Sequence, residues 1–257
     1  MEHIHLISYT VGLLALLEMC QLVIPQMLAL RQREVPMEIN QIFNTDCIEF
    51  MKSLPANSVD MTFTDIPYGE VSRDSNGLHE ARGTTLDKGM ADVMTFDLEE
   101  FLNEVYRITK STIIIFCGRG QLSTISLFFD KKQEKKLGTP RQLIWEKTNP
   151  APFNGQYVYL SGIENAMWFR KSKGTFNAHC KNTVFRYPLG SGKLHPTEKH
   201  HGLLKELILD NSNEGDLIFD PCAGSGAHLL VAKENGRNYL GCELYTPYYE
   251  TIKKRGL

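Results

Sequence analysis

The sequence predicts an α/β fold with a mainly parallel sheet, and three observations carry that expectation. Short apolar stretches of strand character alternate with stretches of helical spacing along most of the chain. Thr112 to Cys117 is a continuous apolar run, the pattern of a strand covered on both faces. Leu217 to Phe219 leads through Asp220-Pro221-Cys222-Ala223-Gly224-Ser225-Gly226 into a helical stretch. Glycines between a strand and a helix let a ligand approach the backbone and the helix N-terminus.

In chain order, the first stretch is unlike the rest. Ile4 to Leu30 is largely apolar, but Glu18 interrupts it and Gln21, Pro25 and Gln26 follow. The unbroken run is shorter than the ~20 residues of a membrane-spanning helix. No basic segment precedes it, as one would in a signal peptide. Residues 1–36 therefore read as a helical appendage packed on the core or on a second subunit, and a membrane anchor fits less well. The main domain is expected over residues 37–257.

Ile39 to Phe43 is a strand candidate ending at Asn44-Thr45-Asp46-Cys47, and Ile48 to Leu54 a short helix. Val59 to Thr64 alternates apolar and polar residues, a strand that runs into Asp65-Ile66-Pro67-Tyr68. Residues 70–95 are polar and dotted with glycine, a long loop of the kind that serves function. Leu98 to Thr109 has helical spacing, and the apolar strand follows it. Gln121 to Phe129 reads as a helix, ended by a basic turn at Lys131-Lys132 and Lys135-Lys136. Leu143 to Glu146 and Asn165 to Phe169 are strand candidates, and residues 171–194 read as irregular. Thr197 to Leu209 is expected helical, with Leu203, Leu204, Leu207 and Ile208 on one face. A strand at Leu217 to Phe219, a helix at Ala227 to Asn235 and a strand at Tyr239 to Cys242 complete the pattern.

Composition narrows the function. Among 257 residues, 42% are hydrophobic and the formal net charge is −2, so the chain is globular and not broadly basic. Nucleic acid would have to be met by a local cluster of charge. The six cysteines form no CxxC pair and no zinc spacing, so no metal site is expected. Scattered single cysteines suit a reducing, cytoplasmic compartment.

Three constellations carry chemistry. The glycine turn after Asp220 is followed, 23 positions beyond that aspartate, by Glu243 at a strand end, where an acid can bind a ribose diol. Asp220 itself could accept a hydrogen bond from a cationic amine. Asp65-Ile66-Pro67-Tyr68 also stands at a strand end. There a carboxylate and a carbonyl can accept the two hydrogens of one amine, and Tyr68 offers a face for a base. A plain strand-ending turn with a buried tyrosine is the structural alternative. Leu194-His195-Pro196-Thr197-Glu198-Lys199 precedes a helix; Thr197 could cap it, or these groups could meet a ligand carboxylate.

Taken together and in this order, the three motifs resemble the β-class amino-methyltransferases of DNA, within the Rossmann-like methyltransferase superfamily. That family carries Asp-Pro-Pro-Tyr, then His-Pro-Thr-x-Lys-Pro, then Asp-Pro-Phe-x-Gly-x-Gly. The likeness extends to Asp46-Cys47, Trp145-Glu146-Lys147 and Tyr239 to Glu243, and spans roughly Met37 to Arg255. Ile66, Cys222 and His200 depart from the pattern, as does Ala227-His228 where the family has a threonine pair. None of these changes removes a required polar group.

The resemblance implies a Rossmann-like sheet with the catalytic motif before the cofactor motif, and S-adenosylmethionine as cofactor. It places catalysis on Asp65, Ile66, Pro67 and Tyr68. It assigns Asp46 and Cys47 to the cofactor's adenine ring and Glu243 to its ribose. The methionine part falls to Asp220, Pro221, Cys222, Ala223, Gly224, Ser225 and Gly226, with His195, Thr197 and Lys199 near its carboxylate. Target recognition is expected in an insertion at about residues 170–194. Arg170, Lys171, Lys173, Lys181, Arg186 and Lys193 would then make a DNA-gripping face near the catalytic cleft. The expected activity is methyl transfer to adenine N6 in DNA. Cytosine N4 as target, or a non-catalytic DNA-binding relative or partner subunit, are the alternatives; a homodimer is compatible with the family.

Overall fold

A computed structural model describes residues 38–68, 94–152, 155–189 and 198–257. The expected appendage, most of the 70–95 loop, and Lys193, His195 and Thr197 lie outside these residues. The strands are β1 (Gln41–Phe43), β2 (Val59–Asp65), β3 (Thr109–Cys117), β4 (Gly138–Lys147), β5 (Ile163–Lys171), β6 (Val184–Tyr187), β7 (Leu217–Asp220) and β8 (Asn238–Cys242). The helices are α1 (Cys47–Ser53), α2 (Leu98–Ile108), α3 (Arg119–Glu134), α4 (His201–Asn211), α5 (Ala227–Glu234) and α6 (Thr246–Lys254).

The strands form one sheet in the order β1-β8-β7-β2-β3-β5-β4-β6. Every neighbouring pair is parallel except those made by β5, which runs against both β3 and β4. The carboxyl ends of β1, β2, β3, β4, β7 and β8 therefore share one edge of the sheet, and the amino end of β5 joins them there. From β2 the chain moves outward to β3, and from β7 it moves the other way to β8. The sheet thus switches direction between β2 and β7, where open α/β sheets bind their ligands.

The centre of the sheet is buried on both faces, as the apolar run predicts. Met61, Phe63, Ile114 and Phe116 share one core with Leu203, Leu204, Leu207 and Ile208 of α4. Ile113 and Ile115, at alternate positions and so on the other face, are equally buried. Helix α2 shows why such a stretch is helical. Asp97 caps it by accepting from the Glu100 amide, and Phe101, Leu102, Val105 and Ile108 form its buried stripe.

Several expected boundaries are corrected. Helix α3 continues through Lys131 and Lys132, which occupy its last turn instead of a loop. Cations there complement the helix dipole. The stretch read as irregular contains the edge strand β6, fixed by four pairings to β4 and by the Trp145 indole donating to the Tyr187 carbonyl at 2.9 Å. Helix α4 begins at His201, and its cap is the His200 side chain, which accepts from the Gly202 amide at 3.1 Å. Glu198, expected in the first turn, precedes the helix. Among the described residues, no helix is long and apolar enough to cross a membrane.

Candidate active site

A cavity of about 790 Å³ opens at the carboxyl edge of the sheet, walled by β1, β2, β7 and β8 ends and by the start of β5. Its size suits a nucleoside-sized ligand with a second ring beside it. Asp46, Cys47, Pro221, Cys222, Ala223, Gly224, Ser225 and Glu243 line one part, and Asp65, Ile66, Pro67, Tyr68 and Lys199 another.

On the glycine-turn side, Glu243 is nine-tenths buried and oriented by two backbone amides, Gly224 at 2.7 Å and Tyr245 at 2.8 Å. Burial pushes its carboxyl up to about 7, although these amides pull the other way. Each oxygen keeps a lone pair for a further donor. Asp46 caps α1 by accepting from the Ile48 and Glu49 amides.

Two expectations for this turn are corrected. Asp220 is fully buried: Oδ1 accepts from the Cys222 amide at 3.0 Å and Oδ2 lies 2.9 Å from His228 Nδ1. It builds the turn and is not among the residues that line the cavity. Gly226 stands behind the wall as well. Its φ of +73° starts α5, and an added Cβ would meet Leu257 and Ile252 at 3.0–3.1 Å. His228 takes part in the cavity wall, with its Nε2 lacking a hydrogen-bond partner among the described residues.

On the Asp65 side, a buried network joins residues remote in sequence. The Lys199 ammonium, 3% exposed, lies 2.5 Å from Asp65 Oδ2, 2.8 Å from Glu164 Oε2 and 3.2 Å from the Tyr68 hydroxyl. The Tyr68 hydroxyl donates to Asp65 Oδ1 at 2.8 Å and lies 3.3 Å from Glu164 Oε2. Lys147 holds the other oxygen of Glu164 at 3.0 Å. Lys199, expected near a cofactor carboxylate, is thus engaged on Asp65 and Glu164.

Burial disfavours both carboxylates, yet they titrate in opposite directions. Glu164 faces two ammoniums, Lys199 and Lys147, which outweigh burial and bring it down to about 2. Asp65 has only a share of Lys199 and also feels Glu164, so burial keeps it above the ordinary carboxylate range. Burial works against the Lys199 ammonium too, but Asp65 and Glu164 overcome it and raise its pKa. Tyr68 is raised, by burial first and then by the two carboxylates, so it stays a phenol.

The turn itself is braced by Gln121, whose side chain donates to the Pro67 carbonyl at 2.7 Å and accepts from the Gly118 amide at 2.9 Å. Gly118 has to be small: a Cβ there would sit 3.0 Å from that of Tyr68. Neither Gln121 nor Glu164 was singled out by the sequence. Glu164 left no motif signal, because only the reversal of β5 brings it to the carboxyl edge.

That reversal also corrects the expected DNA-gripping face. Arg170 and Lys171 end β5 at the opposite edge of the sheet, with Lys173 just beyond. The Lys171 ammonium bonds to the Tyr106 carbonyl at 2.7 Å and to that of Thr109. Lys181 pairs with Glu206 and Asp210, at 3.0 and 2.6 Å. Arg186 lies on β6, 3.0 Å from Glu146. These cations form no common face beside the cavity. Among the described residues, the lysines and arginines that line it are Arg119, Lys147 and Lys199.

A Rossmann-like sheet with a carboxylate at its switch point, beside a glycine turn and a second, buried acid, is the arrangement expected of a methyltransferase domain. Comparison with known proteins agrees. A family model for DNA methylases of the N6/N4 type matches residues 59–254. The type II methyltransferase M.HinfI of Haemophilus influenzae is 31% identical over 246 residues, covering 84% of this chain and 68% of its own length. The crystal structure of M1.HpyAVI in complex with SAM superposes with a TM-score of 0.62 at 26% identity, covering 84% of this chain and 98% of that one. The cytosine-N4-specific PvuII DNA methyltransferase shares the fold, with a TM-score of 0.63 at 17% identity, covering 84% and 86%. The chain belongs to the N6/N4 DNA methylase family.

Proposed function

We propose that the chain transfers a methyl group to adenine N6 in DNA, with S-adenosylmethionine as donor. The observation that carries this reading is Asp65-Ile66-Pro67-Tyr68 at the end of β2, opening into the same cavity as Glu243 and the glycine turn. The residues present fit the cofactor. Glu243 has lone pairs free for a ribose diol, Gly224 leaves the backbone open, and Asp46 and Cys47 border the same space. The cofactor supplies an electrophilic methyl group on sulfur.

The chain's own residues prepare the acceptor. A target base has to leave its stack to reach the cavity. Asp65 then accepts one hydrogen of its amino group, the Ile66 carbonyl accepts the other, and Tyr68 offers its ring. Held so, the nitrogen points its electron pair along the line of attack, and positioning supplies much of the rate. As the nitrogen gains the methyl group it has to release a proton, and the buried Asp65 carboxylate is the base within reach. A carboxylate at residue 65, where cytosine-N4 relatives more often carry serine, favours adenine. Arg119, exposed at the start of α3 on the cavity wall, is the cation we assign to backbone phosphate.

The test is transfer from labelled S-adenosylmethionine to unmethylated genomic DNA, followed by nucleoside mass spectrometry. N6-methyladenine is expected. Asp65→Ala should lower its formation by at least about 10³-fold, as for other preorganised polar groups, with cofactor binding retained. N4-methylcytosine would move the assignment to the other base. No product in the presence of measurable cofactor binding would sink the reading.

A further inference from the structure

We propose that Glu164 is a positioning residue for methyl transfer: it is the second acceptor that draws Lys199 and Tyr68 off Asp65 when the target amine claims that carboxylate. The proposal rests on the methyl-transfer reading above. Its basis is a coincidence of partners. Asp65 Oδ2 is held by Lys199 at 2.5 Å and Oδ1 by the Tyr68 hydroxyl at 2.8 Å, so whichever oxygen the amine takes is shared with a donor already there, and its hold strengthens as that donor shifts away. The two groups engaging them share one other acceptor, Glu164 Oε2, at 2.8 Å from Lys199 and 3.3 Å from Tyr68.

Charge makes the exchange feasible. Lys199 is 3% exposed, so it cannot turn to water when it leaves Asp65 and needs a buried anion in its place. Glu164 stays ionised because Lys147 holds its Oε1 at 3.0 Å, leaving Oε2 for Lys199 and Tyr68. Lys147 thus fixes Glu164 at the end of β4, and β5 presents it toward β2 across β3. Two ammoniums balance two carboxylates, so moving Lys199 between the anions leaves the net charge of the network unchanged.

Glutamine at residue 164 keeps the size but weakens the second acceptor. Lys199 would then stay on Asp65, which hinders amine binding and also deepens the ionisation of Asp65. The consequence is specific: a slower reaction whose acid limb moves to lower pH. A merely structural residue would slow the reaction or weaken folding without moving that limb.

The experiment measures single-turnover methyl transfer to unmethylated genomic DNA between pH 5 and 9, with S-adenosylmethionine affinity by equilibrium binding. Full-length wild type, Glu164→Gln and Glu164→Asp are compared. Glu164→Gln is expected to cut the rate at least tenfold, leave cofactor affinity within about threefold, and lower the acid limb. Glu164→Asp should be intermediate in both rate and limb. An acid limb unmoved in Glu164→Gln, or a rate loss matched by lost cofactor affinity, overturns the role. If Glu164→Gln does not fold, wild-type behaviour of Glu164→Asp overturns it equally. Wild-type protein that methylates no base would instead overturn the methyl-transfer reading, and this role with it.

Discussion

Asp65 and Glu164 share the Lys199 ammonium at 2.5 and 2.8 Å, yet one is raised and the other held near 2. The difference lies in the second cation, Lys147, which only Glu164 touches. Glu243 shows the opposite balance, since burial without a cation lifts it to about 7. In its proposed role Glu243 accepts from a ribose diol, which donates best to the ionised carboxylate. Binding therefore favours the deprotonated form, and cofactor affinity is expected to fall as pH drops below about 7. Titration calorimetry at pH 6 and 8 checks this; Glu243→Gln should remove most of the pH dependence and weaken binding about tenfold, the worth of one charged hydrogen bond. For folding the sign reverses. A carboxyl raised from 4.5 to about 7 disfavours the native state once both forms are ionised, so this group's contribution worsens as pH rises from 4.5 to 7.

Elements owe their positions to a few buried contacts. The Trp168 indole on β5 donates to Asn211 at the end of α4 at 2.7 Å, tying the reversed strand to the helix that covers the core. Asn211→Leu leaves that donor buried without a partner and should cost about 1–3 kcal/mol in chemical denaturation. Phe129 of α3 stacks on Phe169 of β5 with centroids 4.7 Å apart, both fully buried. Phe129→Ala is expected to destabilise by about 3–5 kcal/mol, with the cavity left behind making up part of that. Gly118→Ala is a test of the turn at Asp65 to Tyr68. The new methyl meets Tyr68, so activity should fall well beyond any change in melting temperature. Sequence patterns anticipated most of these elements because an apolar stripe has the same period wherever it packs. They missed β6 and the last turns of α3, since an edge strand and an exposed lysine-rich turn bury too little for periodicity to reveal.

At the scale of the molecule, the one antiparallel strand among the described residues decides where charge goes. Arg170, Lys171 and Lys173 follow Glu164 by six to nine positions but end up at the far edge of the sheet. Lys173→Glu is therefore expected to leave DNA affinity within about twofold. Arg119→Glu, at the cavity wall, should weaken it and flatten its salt dependence by about one unit of slope, as loss of a phosphate contact does. Binding titrations at two or more salt concentrations separate the two outcomes. What the sequence determined alone were the properties that travel along the chain. These are the alternation of strands and helices, and the strand-end turns at Asp65 and after Asp220. The ordered motifs by which the chain resembles its family belong with them. Each depends on neighbours a few residues apart, so local pattern suffices. Tertiary structure alone decided that Asp220 supports the turn from behind, that Lys199 serves Asp65, and that Glu164 joins them. Those facts depend on strand order and direction, which bring together groups 99 and 134 positions from Asp65, and no local pattern encodes such distances.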